Sequence, residues 1–213
     1  MGWRTGLLLL SLLSVGALIG LGLAVTCRPG WYTPLAIDHE RLHDDKVALA
    51  TWQDQISTAL NEGREIRVRL EQAQLNRWLA ARTELWPQAG PAFDAVDQAF
   101  VRLDSGEVLL AAVVGRGHWR GVLTVCGGVD VNGDYLVLRC TGARLGLLPL
   151  PARTVCNELW KHTPNAARRN VGASPATLVF PNEFVWPNGK RRCRVRELLL
   201  NPGVLEVVLE PLP

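Results

Sequence analysis

The hydrophobic pattern of this chain changes period several times. Residues 6–25, GLLLLSLLSVGALIGLGLAV, carry no charge and run far enough to cross a bilayer as a helix. From about Asp38 to Leu60 the apolar positions Leu42, Val47, Leu49, Trp52, Ile56 and Leu60 fall at helical spacing, and Asn61 and Gly63 close the segment. REIRVRL (64–70) alternates charged and branched residues and predicts a strand. EQAQLNRWLAARTELW (71–86) returns to helical spacing through Leu75, Trp78, Leu79 and Leu85, until Pro87, Gly90 and Pro91 break it. QAFVRL and EVLLAAVVG then flank the turn Asp104-Ser105-Gly106, and HWRGVLTVCGGVDV and DYLVLRC flank Asn132-Gly133, which together predict an antiparallel meander. Residues 142–163 leave the sheet: Pro149 and Pro151 hold an extended joint, and Pro151 suits the first position of a helix whose apolar face is Val155, Leu159 and Trp160. The tail returns to strands in ATLVF, FVW, RRCRVRELLL and VLEVVLEPL, the last two around Asn201-Pro202-Gly203.

Helices and strands segregated in this way predict an α+β fold. It comprises an N-terminal transmembrane helix, a stalk helix, and a curved antiparallel sheet wrapping the two shorter helices. The domain boundaries are 1–28 for the membrane anchor, 29–63 for a juxtamembrane amphipathic helix and 64–213 for an extracytoplasmic domain. The apolar run is longer than the core of a signal peptide and has no A-x-A cleavage triplet, so it reads as a retained, single-pass anchor in the cell membrane. Trp3 precedes it, and Trp31 and Tyr32 follow, as interfacial aromatics do. Arg4 favours a cytoplasmic N-terminus, Arg28 opposes it, and the long folded region that follows is expected to be exported. Gly16, Gly20 and Ala24 share one stripe of the helix; glycine is common in such helices, which is the simpler reading, and the alternative is a homodimer packed through this stripe.

Composition adds little direction. A formal net charge of +3 implies no polyanionic partner, and nucleic acid is not expected. Hydrophobic residues make up 48%, enough for a folded core. The five cysteines, at 27, 126, 140, 156 and 193, include no C-x-x-C. A two-residue turn at Asn132-Gly133 pairs Val129 with Leu136 and Val125 with Cys140, so Cys126 points to the other face. Free, partly buried thiols are therefore expected.

One constellation carries a reaction. His39-Glu40-Arg41-Leu42-His43 matches H-E-x-x-H, the zinc-protease helix in which two imidazoles hold the metal and the glutamate is general base. Against it stand Arg41 at an x position, the aspartates 38, 44 and 45 around it, and the lack of a third ligand or of any fold upstream. Asp38 suits a helix N-cap, and a capped juxtamembrane helix is the simpler reading. No G-x-S-x-G occurs, and the isolated glycines at 115, 117, 127 and 128 suggest bulges, not phosphate loops. No catalytic residue, cofactor or metal is assigned. Arg192, Arg194 and Arg196 share one face of a strand, with Cys193 and Val195 turned to the core. That face suits either an edge defended by charge or contact with anionic lipid headgroups.

VRLEQAQLNRWLAA, with its Leu75-Asn76 pair, LGLLPLPARTV, and FVWPNGKRRCRVRELLLNPGVLEVVLEPL occur in the order of the landmarks of the YpmS-type bacterial envelope proteins. Residues 64–212 resemble that family, and are similar to half-length tubular lipid-binding (TULIP-like) domains. The resemblance implies a single-anchor envelope protein in which strands curl around a helix, with lipid handling by analogy, and supplies no catalytic residue. The expected function is thus a non-enzymatic, membrane-anchored protein that binds lipid or another apolar ligand. The groove would lie between sheet and helices, lined by Leu75, Leu79, Leu110, Val113, Leu147 and Val155. The alternatives are an interaction scaffold with a filled core that meets a protein or cell-wall partner and, third, the zinc hydrolase.

Overall fold

The computed structural model describes residues 20, 22–87, 97–116, 119–155, 177–186 and 191–212. The end of a first helix, α1 (22–26), leads to α2 (Leu42–Asn61), β1 (Ile66–Glu71), α3 (Gln72–Ala80) and the short α4 (Arg82–Leu85). The meander follows as β2 (Asp97–Asp104), β3 (Glu107–Arg116), β4 (Trp119–Asn132) and β5 (Tyr135–Leu145), then β6 (Leu148–Leu150) and a helix, α5, described over 152–155. The tail supplies β7 (Thr177–Pro181), β8 (Phe184–Val185), β9 (Arg192–Asn201) and β10 (Val204–Pro211).

Mixed helix and antiparallel sheet is the class that the sequence predicts. The strands, however, form two sheets and not one. The order is β1-β10-β9-β8 in the smaller sheet and β2-β3-β4-β5-β6 in the larger, where β7 also pairs with β5. The division arises because β1 pairs along its whole length with β10 at the far end of the chain, a contact that no local pattern announces. The predicted span 6–25 lies outside the described residues except for 20 and 22–25, and Gly16 lies outside them too. No helix among the described residues is long and apolar enough to cross a membrane.

Three local expectations are corrected. The helix predicted over 71–86 breaks at Ala81 into α3 and α4. The hairpin turn is Gly133-Asp134, with Gly133 at φ 55°, so Asn132 faces Tyr135 and Val129 faces Leu138. Thr141 is an extra residue in β5 opposite the Cys126–Gly127 step, and this β-bulge places Val125 against Ala143, and Cys140 against Gly127. Cys126 and Cys140 still face apart, and Cys27, Cys126, Cys140 and Cys193 are free thiols.

The smaller sheet carries the main core. Leu49, Ile56 and Leu60 of α2 pack with Val68, Leu70, Trp78, Cys193, Val195 and Leu209, so the stalk helix is an integral part of the domain's interior. Trp52 meets Trp78 and Trp186 edge to face, at centroid distances of 5.8 and 5.6 Å. A second cluster, Tyr32, Phe100, Ala111, Val113 and Val122, lies on the larger sheet beneath Trp31.

Polar groups join the two sheets. The buried Asn76 side chain accepts a hydrogen bond from Val101 N–H (2.7 Å) and donates one to its carbonyl (2.8 Å), as a neighbouring strand would. Asn182 treats Val195 on β9 in the same way, at 2.8 and 2.7 Å, and also donates to the Gly133 carbonyl at 2.8 Å. Gln72 accepts from Leu103 N–H, and the turns at Gly106 and Gly203 donate to the Leu200 and Leu103 carbonyls. Replacing Asn182 by Ala strands a buried N–H and two carbonyls, and a loss of about 2–4 kcal/mol is expected. Asn76→Ala should cost about 1–3 kcal/mol. Urea titration checks both, and losses below about 0.5 kcal/mol would show that these amides do not hold the seam.

Candidate functional site

The six residues predicted to line a groove are not brought together. Leu75 packs against the core of the smaller sheet and Leu79 is half-buried on the same helix. Val113 belongs to the second cluster. Leu110 is 52% exposed on the opposite face of β3 from Leu109. Val155 is buried in α5, and only Leu147 reaches a groove.

That groove runs across the larger sheet where β3, β4 and β5 meet. Two cross-strand rows make its floor: Leu109–Cys126–Gly142, and Thr124–Arg144. Trp31 and Pro29 close one side, and Leu147, Pro149, Leu150 and Ala152 the other, around a volume of about 750 Å³. Pockets that hold small organic molecules typically span about 300–1,000 Å³. Thr124 is only 5% exposed, yet its hydroxyl has no hydrogen-bond partner. A buried hydroxyl normally finds one, and this Oγ is left without a partner among the described residues in a residue that lines the groove. Beside it, burial and then the nearby Glu107 push the Cys126 thiol pKa up.

The groove lies at the end of α1. Gly146 sits at φ 60°, where a Cβ would collide with the carbonyl oxygens of Ala24 and Val25, and Gly121 also lies against Val25. Leu147 N–H donates to the Ala24 carbonyl at 2.8 Å, satisfying one of the orphan acceptors of the helix end. The same turn that caps α1 therefore forms the groove's rim. Leu147 is 61% and Leu23 66% exposed there.

Charge is distributed differently from the sequence expectation. On β9, Cys193 and Val195 are buried as predicted, but the three arginines between them are occupied. Arg192 pairs with Glu183, Arg194 with Glu210 at 3.1 Å, and Arg196 with Glu65. These pairs make β9 a largely self-neutralised surface. Four other arginines, 28, 144, 153 and 191, have no ion pair among the described residues. Arg144 lines the groove, Arg28 precedes Pro29, and Arg153 follows Ala152. Sequence reasoning missed them because isolated arginines give no pattern, whereas R-x-R-x-R does.

The H-E-x-x-H segment does not lie on one helix. Asp38 Oδ1 accepts from Glu40 and Arg41 N–H, at 3.1 and 3.3 Å, and holds a turn that ends before α2 begins at Leu42. His39 and Glu40 are in that turn and His43 is in the helix, with both imidazoles exposed. Among the described residues no group of three or more His, Cys, Asp or Glu side chains is placed to hold a metal ion.

The buried thiols set a pH dependence. Burial raises the pKa values of Cys126 and Cys193, so unfolded thiols ionise first, near pH 8.5. Their contribution to stability is complete below that pH and is lost as pH rises through the folded-state values. Burial also raises the pKa of Tyr32, whose hydroxyl donates to the Gln98 carbonyl at 2.6 Å, extending the decline. The urea midpoint is expected to fall between about pH 8 and pH 10, less steeply in Cys126→Ala with Cys193→Ala; an unchanged slope would contradict this. Comparisons with protein-family models, curated proteins and solved structures give no match to this chain.

Proposed function

We propose that this chain is a non-enzymatic, membrane-anchored envelope protein that holds a lipid or similar apolar ligand in the groove of its larger sheet. The observation that carries this reading is the position of the groove. Its rim is the turn that caps α1, which continues the apolar run 6–25. If that run spans the bilayer, the groove opens at the membrane surface, and an acyl chain could enter it without crossing water. The apolar Leu109, Leu150 and Trp31 in the lining, and exposed Leu147 at its mouth, suit such a chain. The unpartnered Thr124 hydroxyl supplies one polar contact that would fix the ligand's position. Export of the domain follows from the single N-terminal span, and the similarity of residues 64–212 to YpmS-type and TULIP-like domains points the same way.

Photocrosslinking tests the proposal. The full chain in nanodiscs, with phosphatidylcholine bearing a diazirine in its acyl tail, is expected to crosslink within peptides carrying Leu109, Thr124 to Cys126, or Leu147 to Leu150. Leu147→Asp, which changes only an exposed side chain, should lower groove crosslinking at least about fivefold, equivalent to about 1 kcal/mol, with thermal stability unchanged. Crosslinks confined to residues 6–25 would overturn the proposal.

A further inference from the structure

The arginines of this protein divide into two populations. Along the smaller sheet, guanidinium groups are matched to carboxylates: Arg67 and Arg69 to Glu206, Arg194 to Glu210, Arg196 to Glu65. At the groove the matching is incomplete. Arg144 lines it without an ion pair among the described residues, while the nearby Glu107 carboxylate accepts a hydrogen bond from the lining Thr141 hydroxyl. Arg28 and Arg153 adjoin lining residues on either side, and both are exposed without an ion pair among the described residues. The fourth such arginine, Arg191, stands apart beside Gly63, next to the smaller sheet.

Register places Arg144 directly opposite Thr124, whose buried hydroxyl has no partner. Residues opposite each other in antiparallel strands have their Cβ atoms about 4.5–5.5 Å apart. A planar guanidinium and a hydroxyl at that separation can both reach one acidic group, the first by paired N–H donors and the second by its O–H. Leu109 lies on the same face, Pro149 stands opposite Arg144, and Leu147 in the turn before β6 completes the apolar lining.

We propose that the groove's ligand is an anionic amphiphile, with its tail against Leu109, Leu147 and Pro149 and its acidic group on Arg144 and Thr124, with Arg28 and Arg153 adjoining. The inference rests on the groove being a ligand site, as proposed above, and adds the chemical class of the ligand. A phosphate monoester or diester headgroup and a fatty-acid carboxylate share the required chemistry. A zwitterionic lipid carries the same phosphodiester but brings its own cation, so it adds no net negative charge to the site.

The test compares three probes with the same diazirine-bearing tail in nanodiscs containing the full chain: phosphatidylcholine, phosphatidylglycerol and the free fatty acid. The readout is groove crosslinking divided by crosslinking to residues 6–25, which removes general enrichment of anionic lipid around a basic protein. One or both anionic probes are expected to exceed phosphatidylcholine about tenfold, a factor equivalent to 1.4 kcal/mol. Which anionic probe wins identifies phospholipid or fatty acid as the source. Arg28→Gln, Arg144→Gln and Arg153→Gln together should abolish the preference, bringing the ratios of the anionic probes down to that of phosphatidylcholine, and a preference that persists in this variant would overturn the assignment. Arg191→Gln should retain it. Equal ratios for all three probes would overturn the anionic assignment while leaving the groove intact, whereas no groove crosslinking by any probe would remove the groove itself. Loss of preference in Arg191→Gln would reduce the effect to total charge and also overturn the assignment.

Discussion

Two side-chain amides hold this fold together where backbone pairing fails. Asn76 and Asn182 each offer a buried strand residue one acceptor and one donor, at 2.7 to 2.8 Å, as the next strand in a sheet would. Dividing the strands into two sheets creates inner edges whose N–H and C=O groups are shut off from water. An unpaired buried group of that kind is costly, so the seam requires partners of fixed geometry. Asn182 also binds the hairpin turn of β4 and β5 through the Gly133 carbonyl, so one residue ties both sheets. With the seam closed by amides, the larger sheet needs no further strands there, and its β3–β5 face remains available for the groove.

The position of the groove follows from a second constraint, the close approach of α1. Helix ends present carbonyls that need donors. Here the turn at Gly146 and Leu147 supplies one, and Gly121 and Gly146 leave room for the Ala24 and Val25 carbonyls because they have no Cβ. The groove, its exposed leucine and its unpaired arginines are thereby gathered at the end of the apolar run. On β9, by contrast, each outward arginine meets a carboxylate of a neighbouring segment.

Much of this was legible in the sequence, and what was not has a physical cause. The meander and the alternation that buries Cys193 and Val195 follow from period-two patterning, whereas the bulge has its extra residue at Thr141 in β5 and not at the glycines of β3 and β4. The division into two sheets depends on β1 meeting β10, more than 130 residues away, which local patterns cannot reveal. The groove was misplaced because β3 is apolar on both faces: Leu109 and Leu110 look alike in sequence, but one lines the groove and the other is exposed on the reverse face. The Leu75-Asn76 pair was visible as a landmark, but its role as a substitute strand edge needed coordinates. The arginine pattern on β9 was equally visible, but its carboxylate partners Glu65, Glu183 and Glu210 lie on other segments and give no local pattern.

The central claim is that the groove beside α1 retains an amphiphile. Native mass spectrometry of the full chain, extracted from membranes in polymer-bounded discs and released in the gas phase, tests it most directly. The account predicts one tightly held acidic amphiphile per chain, absent from Leu147→Asp. A chain that emerges at its bare mass under conditions that preserve its fold would contradict it.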